Sequence, residues 1–214
     1  MFQTDTRAKL AGPETGVASD ASRVSDKIAA LQARKRDGRK IVCVVAWDEG
    51  TARVADAAGV DLISVGDSGA ASFDELLVFC AAVRRGADRA FVSCDLPEPT
   101  VDAARRLVDA GAEMVKVEGV ANVRAIAAAG IPVFAQIAAA ADAKPVEEAG
   151  AALIDFRNSG PDAGAEAVAA VSIPVLGGLG GGPWLDGRVR AVYKLLDVES
   201  YVYDVRAARP VRGD

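Results

Sequence analysis

The sequence predicts an α/β protein, a compact (β/α)8 TIM barrel with short loops, with an open doubly wound sheet as the alternative. Three observations carry that reading. A unit of Ala-rich helical stretch, glycine and short apolar run recurs, its glycines (Gly59, Gly86, Gly111, Gly130, Gly150) falling 19 to 27 residues apart. That is the length a helix, a glycine C-cap and a parallel strand consume. The apolar runs are hydrophobic on both faces, as strands covered by helices must be. Hydrophobic residues make up 51% of the 214 but aromatics only 5%, which suits many short α/β elements better than a sandwich.

Taken in order, SDKIAALQARKRDG reads as a helix: Ser25 and Asp26 start it, Ile28, Leu31 and Gln32 give it a face, and Gly38 stops it. KIVCVVA (40–46) is the first strand. The repeating units then supply ADAAGVDLISV (55–65), AVRRGADRAFVSC (82–94), LVDAGAEMVKV (107–117), IAAAGIPVFAQI (126–137) and VEEAGAALIDF (146–156). SIPVLGG (172–178) is a seventh strand, and RVRAVY (188–193) a weaker eighth that completes closure. Residues 1–24 read as an N-terminal extension, 25–204 as the barrel domain and 205–214 as a C-terminal tail.

The composition excludes several functions. A formal charge of −5 argues against nucleic acid or an anionic membrane as partner, since both need a concentrated basic surface. The one basic cluster, RKRDGRK (34–40), reads as a solvated helix end. No apolar run is long enough to span a bilayer, and the first residues show no signal-peptide core, so a cytoplasmic protein is expected. Cys43, Cys80 and Cys94 stand far apart, which suits buried small hydrophobes rather than disulfides or a zinc site. The chain has no histidine; chemistry must therefore run on carboxylates, Lys, Arg, hydroxyls and a hard metal.

Barrel enzymes work at the C-terminal ends of their strands. Those ends carry Trp47-Asp48, Gly66-Asp67-Ser68, Cys94-Asp95, Lys116-x-Glu118, Gln136, Asp155-x-Arg157 and the glycine run from Gly177 to Gly182. Asp67, Asp95 and Glu118 come from three successive strands, an all-oxygen set suited to Mg²⁺; strand-end aspartates that cap the next helix are the plainer alternative. Lys116 and Glu118 share one strand face, so the carboxylate serves the metal while the ammonium meets an anionic substrate, or the two form a structural ion pair. GGLGGGPWLDG (177–187) either offers backbone N–H groups to an anion or is an ordinary loop.

The stretch DKIAALQARKRDGRKIVCVVAWDEGTARVADAAGVDLISVGDS resembles the opening of the 3-methyl-2-oxobutanoate (ketopantoate) hydroxymethyltransferases. The likeness continues through AAVRRGADRAFVSCDLP, AGAEMVKVEG, AGIPVFAQI and SIPVLGG, over roughly residues 25–192. It implies a Mg²⁺-dependent barrel of the phosphoenolpyruvate mutase/isocitrate lyase superfamily that hydroxymethylates a 2-oxo acid, with methylenetetrahydrofolate as co-substrate and a homo-oligomeric assembly. The resemblance puts Asp67, Asp95 and Glu118 on the metal side, Ser68 on the substrate carboxylate, and Lys116 on the oxo acid.

Two positions depart from the family pattern. The sixth strand of the family ends in a glutamate, the base for C3 deprotonation; the same count from Gly150 lands on Arg157, which cannot accept a proton. Asp155, about 7 Å deeper on the same strand face, is the candidate substitute. Gln136 stands where the family has a histidine. Arg157 also supports a Mg²⁺-dependent retro-aldol lyase on a dicarboxylate, its guanidinium gripping the second anion. A ligand-binding paralogue without turnover is the third reading.

Overall fold

All the strands expected from the apolar runs form. In the computed structural model, which describes residues 20–178, 182–194 and 197–207, eight parallel strands pair in chain order into a closed barrel. They are β1 (Ile41–Val45), β2 (Leu62–Val65), β3 (Phe91–Asp95), β4 (Met114–Glu118), β5 (Val133–Ile137), β6 (Leu153–Phe156), β7 (Val175–Gly177) and β8 (Gly187–Ala191). The open-sheet alternative is ruled out by the β8–β1 ladder, in which Ile41 through Val45 face Gly187 through Ala191.

The helices are α1 (Asp20–Arg36), α2 (Glu49–Ala57), α3 (Phe73–Gly86), α4 (Val101–Asp109), α5 (Val120–Ala128), α6 (Ala143–Glu148), α7 (Pro161–Ala170) and α8 (Val198–Ala207). Asp48, Ser72 and Thr100 cap α2, α3 and α4 by accepting from the N–H of Thr51, Glu75 and Ala103. Four of the repeat glycines (59, 111, 130, 150) take φ between 80° and 107°, the left-handed region that ends a helix without a Cβ penalty. Gly86 serves differently: a Cβ there would stand 2.3 Å from the Glu49 carbonyl oxygen on α2, so its absence lets α2 and α3 meet.

Alternation along each strand divides the core in two. Outward residues such as Val44, Ile63, Val92, Val115, Ile154 and Val175 pack against the helices. Inward residues at the strand starts, including Ile41, Leu62, Phe91, Met114, Phe134 and Leu153, fill the lower barrel, and Leu31 of α1 closes it from below. The three cysteines are free and buried, as expected. Among the described residues no helix is long and apolar enough to cross a membrane.

Two expectations are corrected. α1 starts at Asp20 rather than Ser25, and its Val24 packs against the lower core; α8 runs to Ala207, with Val205 buried. Residues 1–19 and 208–214 lie outside the described residues. The basic cluster is not simply solvated: Arg34 pairs with Asp61 at 2.6 Å and Lys35 with Asp186 at 3.1 Å, while Lys40 donates to the Pro183 and Leu185 carbonyls. These cations pin α1 and the entry to β1 across the bottom of the barrel.

Candidate active site

Above the apolar lower layer the inward row turns polar. Lys116, in the middle of β4, is only 4% exposed. Its ammonium lies 3.2 Å from Asp95 Oδ1 on β3 and 3.4 Å from Asp155 Oδ2 on β6, with the Phe134 ring centroid 5.1 Å away. Burial opposes the charge, but Asp95 and Asp155 outweigh it and hold the Lys116 pKa above its ordinary value. The two carboxylates thus favour the charged form of Lys116.

Register explains the juxtaposition. Asp95 pairs directly with Lys116 across β3 and β4, Lys116 with Phe134 across β4 and β5, and Gln136 with Asp155 across β5 and β6. Beside them the turn Asp67–Gly69 follows β2, with Asp67 and Ser68 exposed. The Asp67 backbone N–H donates to Asp95 Oδ2 at 3.2 Å. Trp47 sets this turn: its indole N–H donates to the Gly66 carbonyl at 2.8 Å, and a Cβ on Gly69 would stand 2.5 Å from Nε1. The indole also stacks on Tyr193, ring centroids 5.8 Å apart.

The third expected metal carboxylate is diverted. Glu118 accepts from Arg157 Nη1 at 2.7 Å, an exposed pair at the barrel mouth. Among the described residues no three acidic or thiol groups converge enough to hold a metal; Asp67 and Asp95 are neighbours, and Arg157 draws Glu118 aside. Two carboxylates still fit Mg²⁺, which commonly takes one or two and fills its octahedron with water and substrate oxygens. Asp95 Oδ1 supports that fit, being buried and, despite its contact with Lys116, without a hydrogen bond of adequate geometry.

Glu118, Asp155, Arg157, Asn158 and Gly178 line a cavity of about 610 Å³ at this mouth. Gln136 sits half-buried between Glu118 and Asp155 in register. A larger cavity, about 740 Å³, lies beside α1 around Ser25, Arg84, Glu113 and Ile131 and includes none of these residues. At the described ends of the glycine loop the carbonyls of Gly178 and Gly182 accept from Arg188. Residues 179–181 of that loop lie outside the described residues.

Sequence reasoning missed Ser64 and Ser93, which face each other in register across β2 and β3, fully buried, with no hydrogen-bond partner for either hydroxyl. Their signal was available: each lies two residues before a singled-out strand end, Gly66 and Asp95, and so shares its face.

A family model for ketopantoate hydroxymethyltransferase matches residues 25–140. The 3-methyl-2-oxobutanoate hydroxymethyltransferase of Xanthomonas euvesicatoria pv. vesicatoria (strain 85-10) is 33% identical, the match covering 81% of this chain and 80% of that protein. Its namesake from Xanthomonas axonopodis pv. citri (strain 306) is 32% identical with the same coverage. Among solved structures, 2,3-dimethylmalate lyase, a PEP mutase/isocitrate lyase superfamily member, superposes with a TM-score of 0.63 at 14% identity, covering 83% of this chain and 85% of that one. The phosphoenolpyruvate phosphomutase of Streptomyces platensis subsp. rosaceus gives 0.62 at 18% identity, with coverage of 83% and 85%. The structural likenesses establish the barrel, and the sequence matches go further: this chain belongs to the ketopantoate hydroxymethyltransferase family.

Proposed function

We propose that the protein is a Mg²⁺-dependent aldol-type enzyme that acts on a 2-oxo acid at the barrel mouth. The observation that carries this reading is the buried Asp95–Lys116–Asp155 chain beside Asp67. Asp67 and Asp95 hold the cation. When bound, Mg²⁺ supplies a Lewis acid that stabilises the enolate of the oxo acid. Lys116 turns its positive charge toward the oxo acid, and Ser68, exposed on the same turn as Asp67, binds its carboxylate in this reading. Gln136 offers an amide to the substrate. Asp155, which lines the cavity, is the carboxylate available for the C3 proton. In this reading methylenetetrahydrofolate brings the one-carbon unit, and the enzyme works as a cytoplasmic homo-oligomer.

A second reading rests on Arg157. A guanidinium lining the cavity suits a substrate with a second carboxylate, gripped when Arg157 leaves Glu118. Retro-aldol cleavage of a 4-hydroxy-2-oxo diacid breaks C3–C4, passes the hydroxyl proton to Asp155 and leaves a carbonyl product and the same enolate, so no C–H abstraction by a residue at position 157 is needed.

One experiment separates the readings. The protein is mixed with Mg²⁺ and a panel of 2-oxo and 2-hydroxy acids in D₂O, and C3–H exchange and C–C cleavage are followed by NMR beside Asp67→Ala. Metal-dependent exchange on monoacids, lost in the variant, supports the transferase reading; cleavage confined to diacids replaces it with the lyase. Neither activity across the panel refutes both.

A further inference from the structure

Lys116 has two carboxylate partners where one would satisfy it. They approach from opposite sides, Asp95 from β3 and Asp155 from β6, at nearly equal distances of 3.2 and 3.4 Å. The difference between them lies in their other contacts. Asp95 Oδ2 is tied to the Asp67 N–H at the metal-side turn, while Asp155 faces the cavity. The face of Phe134, its ring centroid 5.1 Å from the ammonium, carries no charge that could replace either carboxylate.

A cation held by Asp67 and Asp95 takes Oδ1 or Oδ2 of Asp95 as a ligand. With Asp95 as its one counter-ion, Lys116 would then be buried next to a second cation, losing that partner or sharing it, a combination that opposes metal binding. We infer that Asp155 is a positioning residue that takes over the Lys116 ammonium when Asp95 turns to the metal. Asp155 thereby sets metal affinity without touching the metal. The inference rests on the assignment of Asp67 and Asp95 as cation ligands, and it is independent of whether Asp155 also serves as a base, because no substrate is needed to see it.

The test is a double-mutant cycle on the full chain, with Mn²⁺ as the probe and free Mn²⁺ read by electron paramagnetic resonance. Wild type, Asp155→Asn, Lys116→Met and the double variant are titrated without substrate, after circular dichroism and thermal melts confirm that each is folded. Asp155→Asn is expected to weaken Mn²⁺ binding roughly tenfold, the scale for losing a partner that orients a metal ligand. In the Lys116→Met background the same change is expected to cost less than about twofold. Asp155→Glu restores affinity if the ammonium is what Asp155 holds. Equal weakening in both backgrounds overturns the inference, because Asp155 would then act as a distant charge on the metal; no weakening in either overturns it too. Wild-type protein without saturable Mn²⁺ binding, or Asp67→Ala with undiminished binding, refutes the cation assignment itself. Should Lys116→Met not fold, Lys116→Gln takes its place in the cycle.

Discussion

Lys116→Met tests the buried triad most directly, since methionine keeps much of the stem and deletes the charge. Two carboxylates are left facing the same interior space, each within 3.4 Å of where the ammonium stood. Removing one partner from a buried pair costs about 3–5 kcal/mol. In a chain of this size each kcal/mol lowers Tm by roughly 2–4 °C, so the variant is expected to melt about 6–20 °C below wild type at pH 7. The gap should depend on pH with a definite sign. Like charges without a counter-ion raise a carboxylate pKa in the folded variant; the penalty is thus absent below the unfolded carboxylate pKa and grows as pH rises through the raised folded value. Thermal melts from pH 4 to pH 8 in 0.15 M salt measure it. A variant within about 1 kcal/mol of wild type at pH 7, or a gap that is the same at both ends of the range, would refute the description of Lys116 as a desolvated, doubly paired cation.

Three further outcomes are expected. Gly86→Ala gains up to about 1 kcal/mol of helix propensity but drives a Cβ against the Glu49 carbonyl, Ala52 Cβ and Arg53 N; overpacking against backbone costs about 1–3 kcal/mol, so a lower Tm is predicted and a higher one contradicts the α2–α3 contact. Glu147 on α6 is pulled upward by burial, yet Lys144, the Ser172 hydroxyl and the N–H groups of Ser172 and Ile173 outweigh it and bring its pKa from an ordinary 4.5 to about 2. A depressed folded value means stability present above about pH 4.5 and lost toward pH 2, so Glu147→Gln should cost on the order of 2 kcal/mol at pH 7, with the gap to wild type closing in acid; a gap unchanged at pH 2.5 would contradict this. Borohydride added to protein and a 2-oxo acid should leave no mass adduct on Lys116, because its nitrogen stays protonated; a trapped imine there would show that the ammonium gives up its proton.

The barrel was legible because its determinants are local. Gly111 and Gly150 mark helix ends through their own φ, and the apolar runs of β2 to β6 announce strands without reference to partners. Residues sharing a strand face were equally readable, as with Lys116 and Glu118. What escaped was contact between strands. Glu118 and Arg157 are 39 positions apart, and their meeting depends on the stagger of a closed barrel across the intervening β5. The same holds for Asp155, expected as a base and found beside Lys116. Arg34 and Lys35 look like a charged helix end until the depth of α1 against the barrel floor is known, since Asp61 and Asp186 come from distant loops.

The indole under the Asp67–Gly69 turn gives the protein a spectroscopic handle of its own. Tryptophan emission follows the polarity and packing around the ring, and the chain has two tryptophans, Trp47 and Trp184. Trp47 touches Gly66 and Gly69 and stacks on Tyr193, so any rearrangement of the turn changes what quenches it. With Trp184→Phe as background, the fluorescence of a single native residue reports on the metal-side loop in real time, with no label attached and no turnover required.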